Sequence, residues 1–252
     1  MKSKPQKMVS HDGKTKISFP KFIPIQDELK EFAKQVETPA ICDVSVNPRS
    51  MDPGIMSMCP GVKMIGNALT VAVSPGDNLI IHMAIRLIRP GLILVISTGD
   101  PPHPTGCYGD LMATSTKVMG GEGAIVDGYI RDPRDLEEDA FPVFARGACP
   151  VPTTKVGGGE INGIVTCGGV IVKPGDVIMA DDSGIVVIEN EESIEIFRAA
   201  VEKTKGEALR KKAILDGSVS PRFLEGKIRD IGLQKLLETE EWNRLSEVSK
   251  NE

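Results

Sequence analysis

The stretch GDLMATSTKVMGGEGAIVDGYIRD, residues 109–132, decides the fold predicted for this chain. Just before it, LILVIST at 92–98 is a continuous β-prone run, as expected of a parallel strand covered on both faces. Residues 110–119 then predict a helix, and residues 124–130 predict a second strand. Strand, helix and strand in this order form a βαβ unit, whose strands are parallel and whose crossover is right-handed.

Polar residues of this unit fall where its elements begin or end. Asp110 lies in the first turn of the predicted helix, and Arg131 and Asp132 follow the second strand. The carboxyl ends of parallel strands and the start of the connecting helix share one edge of a sheet, so we expect these three side chains at a single rim. Pro133 predicts an extended backbone at Asp132 and a bend that ends the strand.

The start of the predicted helix has the properties of an anion site. The amides of Leu111 and Met112 lack partners within a helix and carry partial positive charge. Gly106 and Gly109 let the backbone come close to a bound group. We therefore expect this turn to accept a carboxylate or a phosphate.

The residue types at this rim suit metal-assisted chemistry on a 2-oxo acid. Mg²⁺ prefers oxygen ligands, usually one or two carboxylates together with water and substrate oxygens. A 2-oxo acid chelates such an ion through its carboxylate and keto oxygens, and the metal with Arg131 would stabilise an enolate. The alternative is structural, with Asp110 an ordinary helix N-terminal acid and Arg131–Asp132 an exposed strand end.

Composition describes a globular protein and excludes several classes. The 252 residues, 40% of them hydrophobic, suit one large domain or one domain with added segments. A net charge of −5 and an aromatic content of 4% indicate neither a basic face nor stacking platforms for nucleic acid. Five cysteines without a CxxC pair indicate reduced thiols, and no apolar run is long enough for a transmembrane segment. We expect a cytoplasmic protein that contacts neither nucleic acid nor membrane directly.

The chain is expected to have three segments. Residues 1–24 predict an irregular N-terminal arm, residues 25–190 an α/β core and residues 191–252 a C-terminal helical extension. HDGK at 11–14 is a turn signal, and 47–61 is a Met- and Pro-rich loop. Further predicted elements are a helix at 26–36, a strand from 65 to a Pro-Gly turn at 75–76, a helix at 78–88, short strands at 142–145, 169–172, 176–179 and 184–188, and helices at 191–215 and 233–245.

These motifs resemble the family that contains class II 4-hydroxy-4-methyl-2-oxoglutarate and 4-carboxy-4-hydroxy-2-oxoadipate aldolases and the regulator of ribonuclease E activity A. The family signature is an acid, twenty residues and then Arg-Asp, which Asp110, Arg131 and Asp132 match. The resemblance extends over roughly residues 38–215 and, with the convergence at one rim, favours the functional interpretation. Further matches are GCYGDLM (106–112), GNALTV (66–71), DN (77–78) and GGVIVKPGDVIMADDSGIVVI (168–188).

The resemblance implies a layered α/β sandwich of the swivelling-domain type with appended C-terminal helices. It implies assembly as a homotrimer or homohexamer with sites between subunits. It also implies that Asp132 binds Mg²⁺ or Mn²⁺, that Arg131 contacts the keto oxygen and the enolate, and that Asp110 orients a metal-bound water.

By the same resemblance, the segment at Gly109 with the amides of Leu111 and Met112 holds the substrate carboxylate, and Glu207 from a neighbouring subunit acts through water. The implied protein is a divalent-metal-dependent lyase that cleaves a C–C bond next to a pyruvyl group through a pyruvate enolate. Its reactions are retro-aldol cleavage of 4-hydroxy-4-methyl-2-oxoglutarate-like acids and decarboxylation of oxaloacetate. The alternative is a non-catalytic regulatory binding protein like the ribonuclease regulator.

Three other features are interpreted as structural. KVGGGEING at 155–163 matches no nucleotide-binding motif and is assigned to tight turns and close packing. His103 is a candidate proton shuttle near the rim, but a loop histidine without a catalytic role is the simpler interpretation. No histidine-and-acid arrangement marks Cys107 as a nucleophile. The arm, the 47–61 segment and the tail beyond 216 depart from the family pattern, and the last two are expected to shape substrate recognition.

Overall fold

A large mixed β-sheet with helices dominates the computed structural model, which describes residues 6–216 and 223–247. The chain divides into two compact units, Met1–Val201 and Glu202–Glu252. The strands are β1 Gln6–Val9, β2 Thr15–Phe19, β3 Arg49–Ser50, β4 Met56–Ser57, β5 Met64–Val73, β6 Leu92–Ser97, β7 Gly106–Tyr108, β8 Gly123–Ile130, β9 Val143–Ala148, β10 Gly159–Ile161, β11 Val165–Cys167, β12 Val170–Val172, β13 Val177–Asp181 and β14 Gly184–Ile188. The helices are α1 Asp27–Ala33, α2 Thr38–Val44, α3 Leu79–Ile85, α4 Asp110–Val118, α5 Pro133–Glu138, α6 Ser193–Leu215, α7 Leu224–Asp230 and α8 Glu240–Glu247.

Four parallel strands form the centre of the sheet in the order β5, β6, β8 and β9. Strand β6 runs beside β8 from the pair Ile93–Gly123 to the pair Ser97–Asp127, and α4 lies between these strands in the chain. The predicted βαβ unit is therefore confirmed. On its other side β5 pairs with β13 and β10, both antiparallel.

Both faces of these central strands are buried. Leu94 and Ile96 of β6 pack in a cluster with residues of α3 and α4, whereas Ile93 and Val95 face a second cluster that includes Ile178 of β13. All four β6 side chains are fully buried. Burying each of these side chains stabilises the fold by about 1.5–3 kcal/mol. The apolar run at 92–98 is continuous because this strand has no face toward solvent.

The N-terminal arm contains a hairpin, so the prediction that residues 1–24 are irregular is wrong for residues 6–19. Strands β1 and β2 pair antiparallel, and β2 joins the main sheet through parallel pairing with β10. The predicted HDGK turn connects the two strands: Ser10 Oγ donates to the Asp12 carboxylate, and Gly13 has a positive φ of 72°. Composition did not indicate strands here because the arm is rich in lysine. The strand that joins the hairpin to the main sheet, β10, lies far away in the chain.

The predicted helix at 26–36 ends early and is followed by a second helix that was not predicted. Helix α1 ends at Ala33, and α2 begins at Thr38. The buried Asp181 carboxylate accepts hydrogen bonds from the amide of Thr38 at 2.6 Å and from its hydroxyl at 2.8 Å. These bonds satisfy donors at the start of α2 that local sequence leaves open.

Three further differences concern short or terminal elements. The predicted loop at 47–61 includes strands β3 and β4, and the predicted helix at 233–245 is split into a 3₁₀ turn at Gln234–Glu238 and α8. Helix α7 was not predicted, and the boundary between the two units lies somewhat after the predicted 190/191. The parts of the predicted segments at 1–5, 217–222 and 248–252 lie outside the described residues. No helix among the described residues is long and apolar enough to cross a membrane.

Candidate active site

Strand β7 pairs with the end of β8, and α4 begins two residues after β7. Gly106 pairs with Tyr129 and Tyr108 with Ile130 in parallel register, and the Arg131 amide donates to the Tyr108 carbonyl at 2.8 Å. The residues that follow the two strands, Gly109–Asp110 after β7 and Arg131–Asp132 after β8, therefore lie side by side. The predicted convergence of Asp110 with the Arg-Asp pair at one rim is what the structure shows, while their catalytic roles stay a prediction.

Two glycines make this close approach possible. A Cβ at Gly106 would overlap Cγ of Arg131 and the carbonyl oxygen of Cys149. A Cβ at Gly109 would stand 3.0 Å from Oδ2 of Asp132 and 3.3 Å from Cβ of Arg131. Glycine is thus required at 106, where Arg131 and a backbone carbonyl occupy the space, and a Cβ at 109 would be tight against Asp132 and Arg131. This refines the reason predicted from the sequence.

Asp132 has a left-handed backbone, with φ 56° and ψ 48°, so the extended conformation predicted from Pro133 is wrong. Pro133 is the first residue of α5, where its fixed φ suits a helix, and Asp132 is the residue before that helix. Aspartate adopts this region more readily than most residues, at a cost of about 1–3 kcal/mol. The turn places the Asp132 carboxylate against Gly109, which is the position required for a site shared with α4.

The polar side chains at the rim are not used by the protein itself. Arg131 and Asp132 are exposed, and their charged groups have no hydrogen-bond or ion-pair partner within residues 6–216 and 223–247. Asp110 is half-buried and accepts only a long 3.5 Å contact from Thr114 Oγ1, at the limit of a hydrogen bond. A guanidinium and two carboxylates are therefore available to a ligand.

The start of α4 offers one open amide and one that is engaged. The Leu111 amide has no partner in the described chain, whereas the Met112 amide donates to the Gly109 carbonyl at 3.0 Å. A ligand carboxylate that uses both predicted donors must share or replace that bond. Beneath the turn, the buried Asn78 Nδ2 donates to the Cys107 carbonyl at 3.1 Å and lies 3.7 Å from Met112 Sδ. Asn78 thereby ties the start of α3 to the segment that leads into the site.

The rim fits an ion that needs few protein ligands. Among the described residues, no group of three or more histidine, cysteine, aspartate or glutamate side chains could hold a metal ion. Asp110 and Asp132 supply two carboxylates, which is the usual protein share for Mg²⁺, whose remaining ligands are waters and substrate oxygens. The donor set thus suits Mg²⁺ or Mn²⁺, and it is unlike the closed four-ligand cage of structural zinc.

Glu207 lies on α6 within the second unit, where it forms an i,i+4 ion pair with Lys203 at 2.9 Å. Its side chain is exposed. A pair of this kind on a helix surface contributes about 0.3–0.5 kcal/mol, so it holds Glu207 only weakly. The role of Glu207 toward a neighbouring subunit stays a prediction.

The structure supports the structural interpretation of the glycine-rich segment at 155–163. The amides of Gly158 and Gly159 donate to Thr15 Oγ1 and the Lys14 carbonyl, so they are not available as a phosphate cradle. Gly159 has a φ of 114°, and a Cβ there would overlap the Ala72 carbonyl. This segment is built for close packing between β10, β2 and β5.

His103 and Cys107 are likewise explained without catalysis. The His103 ring contacts Thr105 Oγ1 at 3.2 Å and would stand 3.1 Å from a Cβ at Gly76. Burial raises the pKa of the Cys107 thiol to about 12, so it is not a thiolate at neutral pH.

Sequence reasoning missed a buried ion pair close to the rim. Asp127 lies inside β8, and its carboxylate accepts from Nε of Arg146 on β9 at 2.6 Å. Arg146 also donates from Nη1 to the Asp52 carboxylate at 2.9 Å. The signal was present in AIVDGYI, where one charged residue interrupts a fully apolar strand.

Comparison with known proteins agrees with this fold. Residues 38–187 match the RraA-like family model described as Aldolase/RraA, and the chain belongs to this family. It is 34% identical over 185 residues to the uncharacterized protein MJ0644 of Methanocaldococcus jannaschii, covering 73% of this chain and 88% of that protein. It is 32% identical over 197 residues, 77% of this chain and 93% of the other, to a Halalkalibacterium halodurans protein provisionally named 4-hydroxy-4-methyl-2-oxoglutarate aldolase.

A solved structure shows the same architecture. Streptomyces coelicolor RraAS2, described as an unusual member of the RNase ES inhibitor RraA protein family, superposes with a TM-score of 0.66 at 27% identity. The match covers 76% of this chain and 99% of that one. The α/β fold class expected from the sequence is therefore confirmed.

Proposed function

We propose that this protein is a divalent-metal-dependent lyase that cleaves a C–C bond next to the pyruvyl group of a 2-oxo acid. The observation that carries the proposal is the set of uncommitted side chains of Asp110, Arg131 and Asp132 beside the open Leu111 amide. Relatives provisionally named as aldolases support the same chemistry.

Each group has one task in this proposal. The Leu111 amide at the positive end of α4 binds the substrate carboxylate. Arg131 donates to the keto oxygen and stabilises the negative charge that develops there. Asp132 is the carboxylate that would hold Mg²⁺ or Mn²⁺. When bound, such an ion supplies a Lewis acid beside the keto oxygen.

The reaction moves one electron pair toward the pyruvyl group. In the retro-aldol direction the 4-hydroxyl loses its proton, the C3–C4 bond breaks, and its electrons form the enolate of pyruvate. Asp110 orients the water that accepts this proton and returns one to the enolate carbon. In oxaloacetate the same bond breaks with release of CO₂, so the same stabilisation by Arg131 serves both reactions.

We also propose assembly into homotrimers or homohexamers with Glu207 of a neighbouring subunit at each site. Support comes from α4, whose Leu111 and Val118 side chains are each 80% exposed and lie seven residues apart on the helix. Residues at this spacing share one face of a helix. Two exposed apolar side chains beside the site suit burial against a second copy of the chain.

The function is tested by measuring pyruvate release from oxaloacetate and from 4-hydroxy-4-methyl-2-oxoglutarate with Mg²⁺, and again with EDTA. Release that requires both protein and metal supports the lyase. Because oxaloacetate decarboxylates unaided, a protein-free sample with the same metal is the control. Release no faster than in that control, for both acids, contradicts the proposal.

A regulatory binding function is the second candidate, because a solved relative is described as a member of an RNase inhibitor family. This candidate predicts stoichiometric recovery of a ribonuclease or helicase by the immobilised protein, with no turnover of either 2-oxo acid. The Arg131→Ala variant separates the two functions, since a lyase loses turnover while a docking surface elsewhere is unaffected.

A further inference from the structure

Strand β8 contains a bulge four residues before Arg131. Its register with β9 runs from Ala124–Val143 to Val126–Ala145 and resumes at Tyr129–Gly147. Asp127 and Gly128 on β8 therefore lie opposite the single residue Arg146 on β9. A bulge bends its strand and increases the local twist, and bulges beside functional sites redirect side chains. The segment redirected here is the one that ends in Arg131 and Asp132.

Hydrogen bonds hold the bulge on three sides. The two oxygens of the Asp127 carboxylate accept from Arg146 Nε and from the Gly168 amide, both at 2.6 Å. The Asp127 carbonyl accepts from Thr98 Oγ1 at 2.7 Å. A Cβ at Gly128 would lie 2.8 Å from that same hydroxyl oxygen, so the bulge fits against β6 only with glycine. Both carboxylate oxygens and the carbonyl oxygen of Asp127 thus each accept a hydrogen bond.

The pair is an inefficient device for stability alone. The side chains of Asp127 and Arg146 are only 10% and 23% exposed, and removing two charges from water offsets most of their mutual attraction. Replacing both members of a buried ion pair by apolar residues of similar volume is often neutral for stability or even stabilising. The pair instead fixes the conformation of the bulge, because a carboxylate that binds two donors in fixed positions allows only one arrangement of the backbone.

We propose that Asp127 and Arg146 are positioning residues for the active site, which fix the β8 bulge and thereby set where Arg131 and Asp132 stand relative to Gly109. This inference rests on the proposed lyase function. The connection is through the backbone: the chain continues from Asp127 through the bulge to Ile130, and Arg131 is then held to β7 by its amide. Loosening the bulge moves both reactive groups together.

The test uses Asp127→Asn, which keeps the shape of the side chain but replaces one of the two acceptors by a donor. A displacement of about 1 Å at reacting groups lowers rates by about 100-fold, so we expect kcat for pyruvate release to fall by about that factor. We also expect weaker Mn²⁺ binding in an EPR titration without substrate, because Asp132 is displaced too. A merely structural role would not change the Mn²⁺ affinity of the folded protein.

Asp176→Asn is the matched control. Asp176 forms the same kind of buried pair, with Arg49 Nη1 at 3.2 Å and the Lys173 amide at 3.1 Å, at the opposite edge of the sheet beside the start of β5. It should lower the melting temperature as Asp127→Asn does and leave kcat and Mn²⁺ affinity unchanged. If Asp127→Asn matches this control in rate and in Mn²⁺ affinity, the inference is wrong.

Arg146→Lys decides the matter if Asp127→Asn does not fold. Lysine keeps the positive charge but cannot reproduce the fixed geometry of the guanidinium, so we expect a smaller loss in kcat and in Mn²⁺ affinity. Wild-type values for both would overturn the inference. A wild-type protein without metal-dependent turnover would instead overturn the lyase proposal itself, and this result is obtained before any variant is made.

Discussion

At the scale of single residues, the site depends on close contacts that leave no room for a larger side chain. Gly106 lies against the stem of Arg131, and Gly109 lies against the carboxylate of Asp132. Asp132 itself has a left-handed backbone. This conformation has a cost in free energy, and it persists only where the surrounding structure fixes it. These three features together set the distance between the start of α4 and the end of β8.

Gly106→Ala should therefore damage the site directly. Its Cβ overlaps Arg131 Cγ, so either the guanidinium stem or the strand must shift, at a cost of about 1–3 kcal/mol in unfolding free energy. We expect a large loss of kcat in the pyruvate-release assay and a lower urea midpoint. Gly226→Ala is the control, since no atom lies within 4 Å of a Cβ at that helical position. Equal effects of the two substitutions would refute the steric account.

Sequence reasoning found the rim residues for a physical reason. The topology of a βαβ unit obliges Asp110, Arg131 and Asp132 to meet, and that rule needs only the element order. The Asp127–Arg146 pair could not be found in this way. It depends on a bulge, and the bulge is defined by the register of β8 against β9, which local sequence does not encode.

At the scale of elements, hydrogen bonds to buried carboxylates attach distant segments of the chain to the starts of helices. Asp77 precedes α3, and its carboxylate accepts from the amide of Leu79, the hydroxyl of Thr154 and the amide of Val156. The loop at 151–158 is thereby attached to the start of α3. The apolar strands β5, β6 and β8 were predictable from their runs, but partners of this kind, separated by so much chain, were not.

Asp77 predicts a specific dependence of stability on pH. Burial alone would raise the pKa of this carboxyl, but the hydrogen bonds from Leu79, Thr154 and Val156 outweigh burial and lower the pKa below its ordinary value of 3.8. A lowered folded-state pKa contributes stability above the unfolded pKa, and that contribution is lost as the pH falls through the folded value. Stability should thus decrease below about pH 4.

The comparison that isolates this group is urea unfolding of the wild type and Asp77→Asn at pH 7 and at pH 3. At pH 7 the variant should be less stable by about 1–3 kcal/mol, since an amide cannot accept at both positions. The difference should shrink at pH 3, which lies below the ordinary pKa of 3.8, because the unfolded wild-type chain then binds a proton at this carboxyl. A difference that is the same at both pH values would show that Asp77 does not titrate with folding.

At the scale of the whole molecule, the proposed site includes a residue from a second subunit. Leu111 and Val118 are two exposed apolar side chains on α4 beside the rim, and Glu207 is the family's candidate for the group that completes the site. Sequence resemblance suggests this assembly, and light scattering on the purified protein measures it. A mass near three or six times 27.1 kDa is expected.

Mixing two inactive variants tests whether sites are shared between subunits. Arg131→Ala and Glu207→Gln should each lack turnover alone, while co-refolded or co-expressed mixtures contain some sites with both wild-type groups. With random assembly from equal amounts, about a quarter of the sites are intact in a cyclic oligomer. Recovery of activity toward that level supports shared sites. No recovery, although mixed oligomers form, would contradict sites shared between subunits.

The most direct test of the central claim compares variants of the two arginines that flank Asp132 in the sequence. Arg131→Ala removes the uncommitted guanidinium at the rim, and Arg134→Ala removes a guanidinium on α5 that pairs with Glu138 at 3.0 Å. Both are exposed, so neither change should unfold the protein. We expect Mg²⁺-dependent pyruvate release to be abolished by Arg131→Ala and unchanged by Arg134→Ala. Wild-type release by a folded Arg131→Ala protein would contradict the proposed function of this rim.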